Sequence, residues 1–198
     1  MKALTRYCDH GEFGGYHYID VPIPECGPDD VIIRVKAAAI CGADMKHWYA
    51  DLEGSNTSET INSIRGHEFA GVIVNVGQRV VSDNSGQACG KCPACERGDV
   101  MLCEHKTGLG LDNNWVAFGG SGGFAKYAKI PGGILRLHPH ALWEIPDGVK
   151  YEEAALLDPV SNSYKAIAQQ SSFLPGQDIV VFGTGPLGLF AVQVARIM

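Results

Sequence analysis

Nowhere does this sequence hold an unbroken apolar stretch of the roughly eighteen residues a membrane span needs. Its opening, MKALTRYCDHGEF, also lacks an apolar core of signal-peptide length. Positive charge is in short supply: 16 Lys and Arg stand against 22 Asp and Glu, a formal net charge of -6. That balance excludes an electrostatic appetite for nucleic acid or for an anionic membrane, and the expected location is the cytoplasm. Internal repeats and low-complexity tails are missing as well, which excludes solenoid and linker architectures. What remains is ordinary globular material. The 198 residues are 45% hydrophobic and 19% charged, enough for one generous domain or one domain and part of a second.

Cysteine is the exception to this plainness. Seven are present, at positions 8, 26, 41, 89, 92, 95 and 103. An odd total, clustered, in a compartment that keeps thiols reduced argues for metal ligation over a disulfide framework. Cys89, Cys92, Cys95 and Cys103 form C-x2-C-x2-C-x7-C, a spacing at which four thiolates can close a tetrahedron around zinc and leave no vacancy for substrate. Such a site is structural, and it would order a glycine-rich loop that has little apolar surface of its own. The alternative is a pair of disulfides or a redox couple, against which three cysteines at three-residue steps are poorly placed to bridge one another.

Along the chain, the first forty residues predict β-structure. In VIIRVKAAAI, Val31, Ile33, Val35, Ala37 and Ala39 share one face while Arg34 and Lys36 share the other. FAGVIVNVG (69–77), followed by QRVV and then a loop rich in Gly, Ser and Asn, predicts a second strand, FAKYAKI and ILRLHPHALWEI predict further short ones, and the stretch from Cys89 to Gly123 reads as turns and glycines. The first 150 residues are therefore expected to form a mainly β domain. The pattern then changes. YEEAALLDPVSNSYKAIAQQ (151–170) carries helical spacing that Pro159 must break or offset into two segments. IVVF (179–182) predicts a buried parallel strand. Gly183, Gly185 and Gly188 follow it as G-x-G-x-x-G, with Pro186 and Leu187 inside, and an apolar helix comes next. In that setting the first glycine permits a tight turn, the second admits a pyrophosphate, and the third lets helix and strand pack closely. The helix N-terminus offers free N–H groups to phosphate.

Four segments in order, ICGAD, GHEFAGVIVNVG, ACGKCPACERGDVMLC and GTGPLG, resemble the zinc-containing medium-chain alcohol and polyol dehydrogenases over nearly the whole chain. The resemblance implies a mainly β GroES-like catalytic domain over 1–150 and the start of an α/β Rossmann domain over 151–198. It implies two zinc ions per chain and NAD or NADP as cofactor. Cys41 and His67 would ligate the catalytic zinc, Glu68 would join them or stand behind them, and Asp158 in LLDPVSN would supply a further ligand. Zinc there would ease the loss of a hydroxyl proton, and the nicotinamide would take the hydride. One position departs from the family. Many members carry a hydroxyl two residues after the zinc cysteine to begin a proton relay, whereas this chain has Ala43. Lys46, His47, Glu68 or water would then carry the proton, with Asp44 a structural neighbour rather than a base.

The residue that selects NAD or NADP is expected about twenty positions after the glycine motif, beyond Met198. The chain is accordingly expected to be the N-terminal part of a longer dehydrogenase, a homo-oligomer when complete, that alone binds zinc but no dinucleotide tightly. The resemblance points to the polyol, threonine and butanediol branch, hence to a sugar alcohol or vicinal diol as the small-molecule substrate. The competing reading is a non-enzymatic, zinc-stabilised scaffold or binding protein of the same descent.

Overall fold

The computed structural model describes residues 1–9, 12–45, 61–110 and 122–198, with side chains for all of these except 7–9, 12–14, 61 and 62. The chain divides into two compact units, Met1–Ala155 and Leu156–Met198.

The first unit is built on antiparallel strands. The hairpin β1 (Lys2–Asp9) and β2 (Glu12–Asp20) joins β4 (Ile61–Ile64) in a sheet of order β2-β1-β4. A second sheet takes β3 (Val31–Ala39), β5 (Glu68–Ile73), β6 (Arg79–Ser82), β9 (Tyr127–Ile130) and β10 (Leu142–Glu144) in the order β10-β6-β5-β3-β9. A short ladder, β7 (Ser85–Gln87) with β8 (Thr107–Gly108), stands apart. The alternation along β3 buries Ile33 fully and leaves Arg34 and Lys36 exposed. A register shift between Val35 and Ala37 interrupts the strict period of two. Ile33 packs with Phe69, Val80, Leu109, Ala128, Ile130, Ile134 and Ala141 as the core of this unit.

Helix α1 (Pro93–Glu96) lies within the four-cysteine segment and α2 (Gly132–Leu137) follows β9. Helix α2 corrects the expectation of strand for ILRLHPHALWEI: ILRL is helical, Pro139–Ala141 is a 3-10 turn, and only Leu142–Glu144 is strand. The reason is local. Pro131 sits at the N-cap of α2, and Asp30 Oδ1 accepts from the first helical N–H, that of Gly132, at 2.9 Å. Asp30 Oδ2 also accepts from Gly27 N at 3.0 Å and lies 3.4 Å from Lys129 Nζ. Asp29 meets Arg136 at 2.6 Å.

Helix α3 (Tyr151–Ala154) closes the first unit, with Glu153 accepting from Lys150 N at 2.8 Å. The second unit begins with α4 (Leu157–Tyr164), runs on as a π-helical turn (Lys165–Gln170), and ends in α5 (Pro186–Ile197). The expected interruption falls at 155–156 rather than at Pro159 itself, since a proline ring clashes with the carbonyl four residues earlier and is tolerated in a first helical turn. IVVF (179–182) is not in a strand, and Phe182 is 95% exposed. A strand exists only through its pairing, and among the described residues none pairs with this segment. No helix of the described residues is long and apolar enough to cross a membrane.

Candidate metal centre

Strand β3 delivers Cys41 and the corner between β4 and β5 delivers His67 and Glu68. After β3 the chain makes a helical turn over 42–45, and Cys41 sits at its N-cap. Its sulfur accepts from Ala43 N at 3.4 Å, while Asp44 reaches back with Oδ2 to Cys41 N at 2.9 Å. Sulfur thus takes the place of the usual N-cap hydroxyl and accepts from the second helical residue, while Asp44, the third, accepts from the N-cap N–H as the acid of a capping box does. Asp44 N bonded to Cys41 O at 3.1 Å completes the turn.

At the other corner, Gly66 adopts a φ of +90° immediately before His67. A Cβ there would lie 2.5 Å from Phe124 Cδ1, so both the backbone angle and the ring packed on it require glycine. His67 and Glu68 emerge buried, 3% and 4% exposed. Asp44 ties the two corners together: its Oδ1 lies 3.4 Å from His67 Nδ1.

Ligand atoms of Cys41, His67 and Glu68 all lie within 4.8 Å of one another. Burial pushes the Cys41 thiol up from its ordinary value, Ala43 N–H partly opposes this, and the negative charges of Glu68 and Asp44 add to the rise. A soft sulfur, an imidazole and a carboxylate crowded into a dry corner suit a divalent transition metal, whose charge reverses that penalty. The residues present fit zinc.

The second cluster is Cys89, Cys92, Cys95 and Cys103, with all four sulfurs within 4.8 Å of one another. Backbone N–H groups point at these sulfurs, among them Cys89 N and His105 N at Cys103 Sγ, at 3.3 and 3.4 Å, and Cys92 N at Cys89 Sγ, at 3.3 Å. Such donors favour thiolates. The Cys95 backbone N–H lowers Cys92 to about 6, whereas desolvation pushes Cys95 up to about 12. Four sulfurs so close cannot all ionise without a cation among them, and the donor set again fits zinc.

Asp158 stands in the second unit, in the first turn of α4, where Oδ2 accepts from Asn162 Nδ2 at 3.3 Å. Also in that unit, Gly183 takes a φ of +104° and Gly185 is the N-cap of α5, with Pro186 at its first position. A Cβ on Gly188 would lie 2.2 Å from Gly183 O, whereas one on Gly185 would meet nothing within 4 Å. The buried Ser163 hydroxyl lies 2.8 Å from Pro159 O and 3.0 Å from Leu187 O, joining α4 to the start of α5. Lys46 and His47, expected near the site, lie outside the described residues. Sequence reasoning passed over Tyr16, whose hydroxyl donates to Asp44 O at 2.6 Å. No local pattern marks a contact across 28 residues.

Residues 27–140 match the family described as the alcohol dehydrogenase GroES-like domain. The uncharacterized zinc-type alcohol dehydrogenase-like protein YdjL of Escherichia coli (strain K12) is 63% identical over 208 residues, covering 100% of this chain and 55% of that protein. L-threonine 3-dehydrogenase of Chelativorans sp. (strain BNC1) is 37% identical, covering 99% of this chain and 54% of that protein. Among solved structures, an alcohol dehydrogenase of Escherichia coli CFT073 complexed with NADH matches with a TM-score of 0.73 at 27% identity, over 99% of this chain and 53% of that one. The chain thus spans about half the length of the curated relatives it matches.

Proposed function

Because this chain belongs to the alcohol dehydrogenase family that carries a GroES-like domain, we propose that it is the metal-binding part of a zinc-dependent oxidoreductase. That enzyme moves a hydride between an alcohol and NAD(P). The observation that carries the reading is the convergence of Cys41, His67 and Glu68 from separate segments, with ligand atoms within 4.8 Å. These three hold the catalytic zinc, and Cys89, Cys92, Cys95 and Cys103 hold the structural one. Bound zinc supplies a Lewis acid that polarises the substrate oxygen.

The chain's own residues do the rest. Asp44 orients the His67 ring from the Nδ1 side and leaves the opposite nitrogen for the metal. Ala43 has no hydroxyl to give or take a proton, so the buried Glu68 carboxylate and His47 are the groups that move it to solvent. Gly183, Gly185, Pro186, Leu187 and Gly188 form the cradle for the dinucleotide phosphates at the N-terminus of α5. The open space around Gly185 supports that assignment. The same reading divides the chain into a catalytic domain over 1–150 and a nucleotide-binding domain beginning at 151.

For substrate we favour a sugar alcohol or vicinal diol. Similarity to an L-threonine 3-dehydrogenase, named for a compound with a second heteroatom beside the reacting hydroxyl, supports this class. Metal analysis tests the reading: two zinc equivalents per chain are expected, with one lost on Cys41→Ser. A single equivalent that survives Cys41→Ser overturns it.

A further inference from the structure

We propose that Tyr16 is a positioning residue for the Cys41, His67 and Glu68 centre, acting through Asp44. The inference rests on the metal-centre reading above and goes beyond it to a residue far from the ligands in sequence.

The argument starts from the two sheets. Tyr16 lies on β2, opposite Arg6 of β1, and β1 in turn pairs with β4. The three-stranded sheet that carries Tyr16 therefore also leads, through β4, into Gly66 and His67. Cys41 follows β3, a strand of the other sheet. The Tyr16 hydroxyl spans this divide. It donates to the carbonyl of Asp44 at 2.6 Å, and the Asp44 carboxylate spans the two ligands. One oxygen accepts from Cys41 N at 2.9 Å and the other faces His67 Nδ1 at 3.4 Å.

A helical turn held only by its own bonds leaves a ligand sulfur at its N-cap free to drift, because the first turn of a helix is marginal by itself. A bond from a second sheet removes that freedom. Asp44 and His67 are both at least nine-tenths buried, whereas Tyr16 is half-buried. The hydroxyl thus fixes the turn from its accessible side and the carboxylate fixes it from within. Groups behind the ligands typically change metal affinity by about 10–100-fold when removed, and Tyr16 stands one step further out than Asp44.

Zinc competition against a chromophoric chelator tests this on the full chain, comparing wild type, Tyr16→Phe, the exposed neighbour Tyr18→Phe, Asp44→Asn and the Tyr16→Phe/Asp44→Asn double variant. Phenylalanine keeps the ring and removes one oxygen, so the strand is retained. The expected result is two zinc ions in wild type, with one of them weakened about 10-fold in Tyr16→Phe. The second ion and the whole of Tyr18→Phe should be unchanged, and the Tyr16 effect should shrink once Asp44 is already asparagine. Two zinc ions of unchanged affinity in Tyr16→Phe, or losses that simply add in the double variant, overturn the role of Tyr16 and leave the metal centre standing. A single zinc in wild type overturns both.

Discussion

Asp44 Oδ1 faces His67 Nδ1 at 3.4 Å while Asp44 Oδ2 accepts from Cys41 N at 2.9 Å, so one buried carboxylate grips both ends of the candidate catalytic site. Asp44→Asn keeps an acceptor for Cys41 N and removes the charge that steadies the imidazole. We expect the affinity of one zinc to fall by about 10–100-fold, with the four-cysteine zinc unaffected. Chelator competition resolves the two, and equal affinities in variant and wild type would refute the role.

Cys103 accepts two backbone N–H groups as well as serving the four-sulfur cluster. Cys103→Ser should cost one zinc per chain and expose the segment to protease, since a structural zinc supplies on the order of 10 kcal/mol to the loop it orders. Limited proteolysis with mass spectrometry reads the cut sites, which should cluster between residues 85 and 108, the span bounded by β7 and β8.

Gly66→Ala tests the corner that presents His67. The left-handed φ and the Phe124 ring 2.5 Å from a new Cβ both oppose it. Overpacking costs about 1–3 kcal/mol and strained backbone adds about 1 more. A denaturant midpoint equal to that of the wild type would refute the packing argument.

Asp30 sets part of the acid limit of stability. Partial burial acts to raise its pKa, but the Gly132 and Gly27 N–H groups and Lys129 outweigh that and hold it below the ordinary carboxylate value of 3.8. A carboxyl whose pKa is depressed on folding stabilises the fold above its unfolded value, and that contribution disappears as pH falls through the lower folded value. Asp30→Asn should therefore destabilise by about 1 kcal/mol at neutral pH and by progressively less below pH 4. Melting curves across that range check the sign, and a deficit that grows on acidification would contradict it.

Spacing made the four cysteines legible, since their ligand geometry is written within fifteen residues. The alternation of Arg34 and Lys36 with Ile33 and Val35 likewise reveals the strand that ends at Cys41. Helix α2 was illegible. Its six residues are too few to establish a helical period, and its N-terminus is held by Asp30, 102 residues earlier. The same holds for Tyr16 and Asp44, where a hydroxyl on one sheet meets a carbonyl beside another. IVVF misled because an apolar run records what a strand would bury and says nothing of whether a neighbour is there to pair with it.

The cysteine segment leaves and re-enters the first unit at almost the same place, since Leu109 N meets Asn84 O at 2.7 Å and β7 pairs with β8 just above. A lobe sealed at its neck in this way is a cassette. Chelation should loosen what lies beyond the neck while the strands below keep their pairing, so stripping the ion and melting the core become separate events. The same closure would let a lobe of different length be grafted between positions 84 and 109 without retuning the five-stranded sheet.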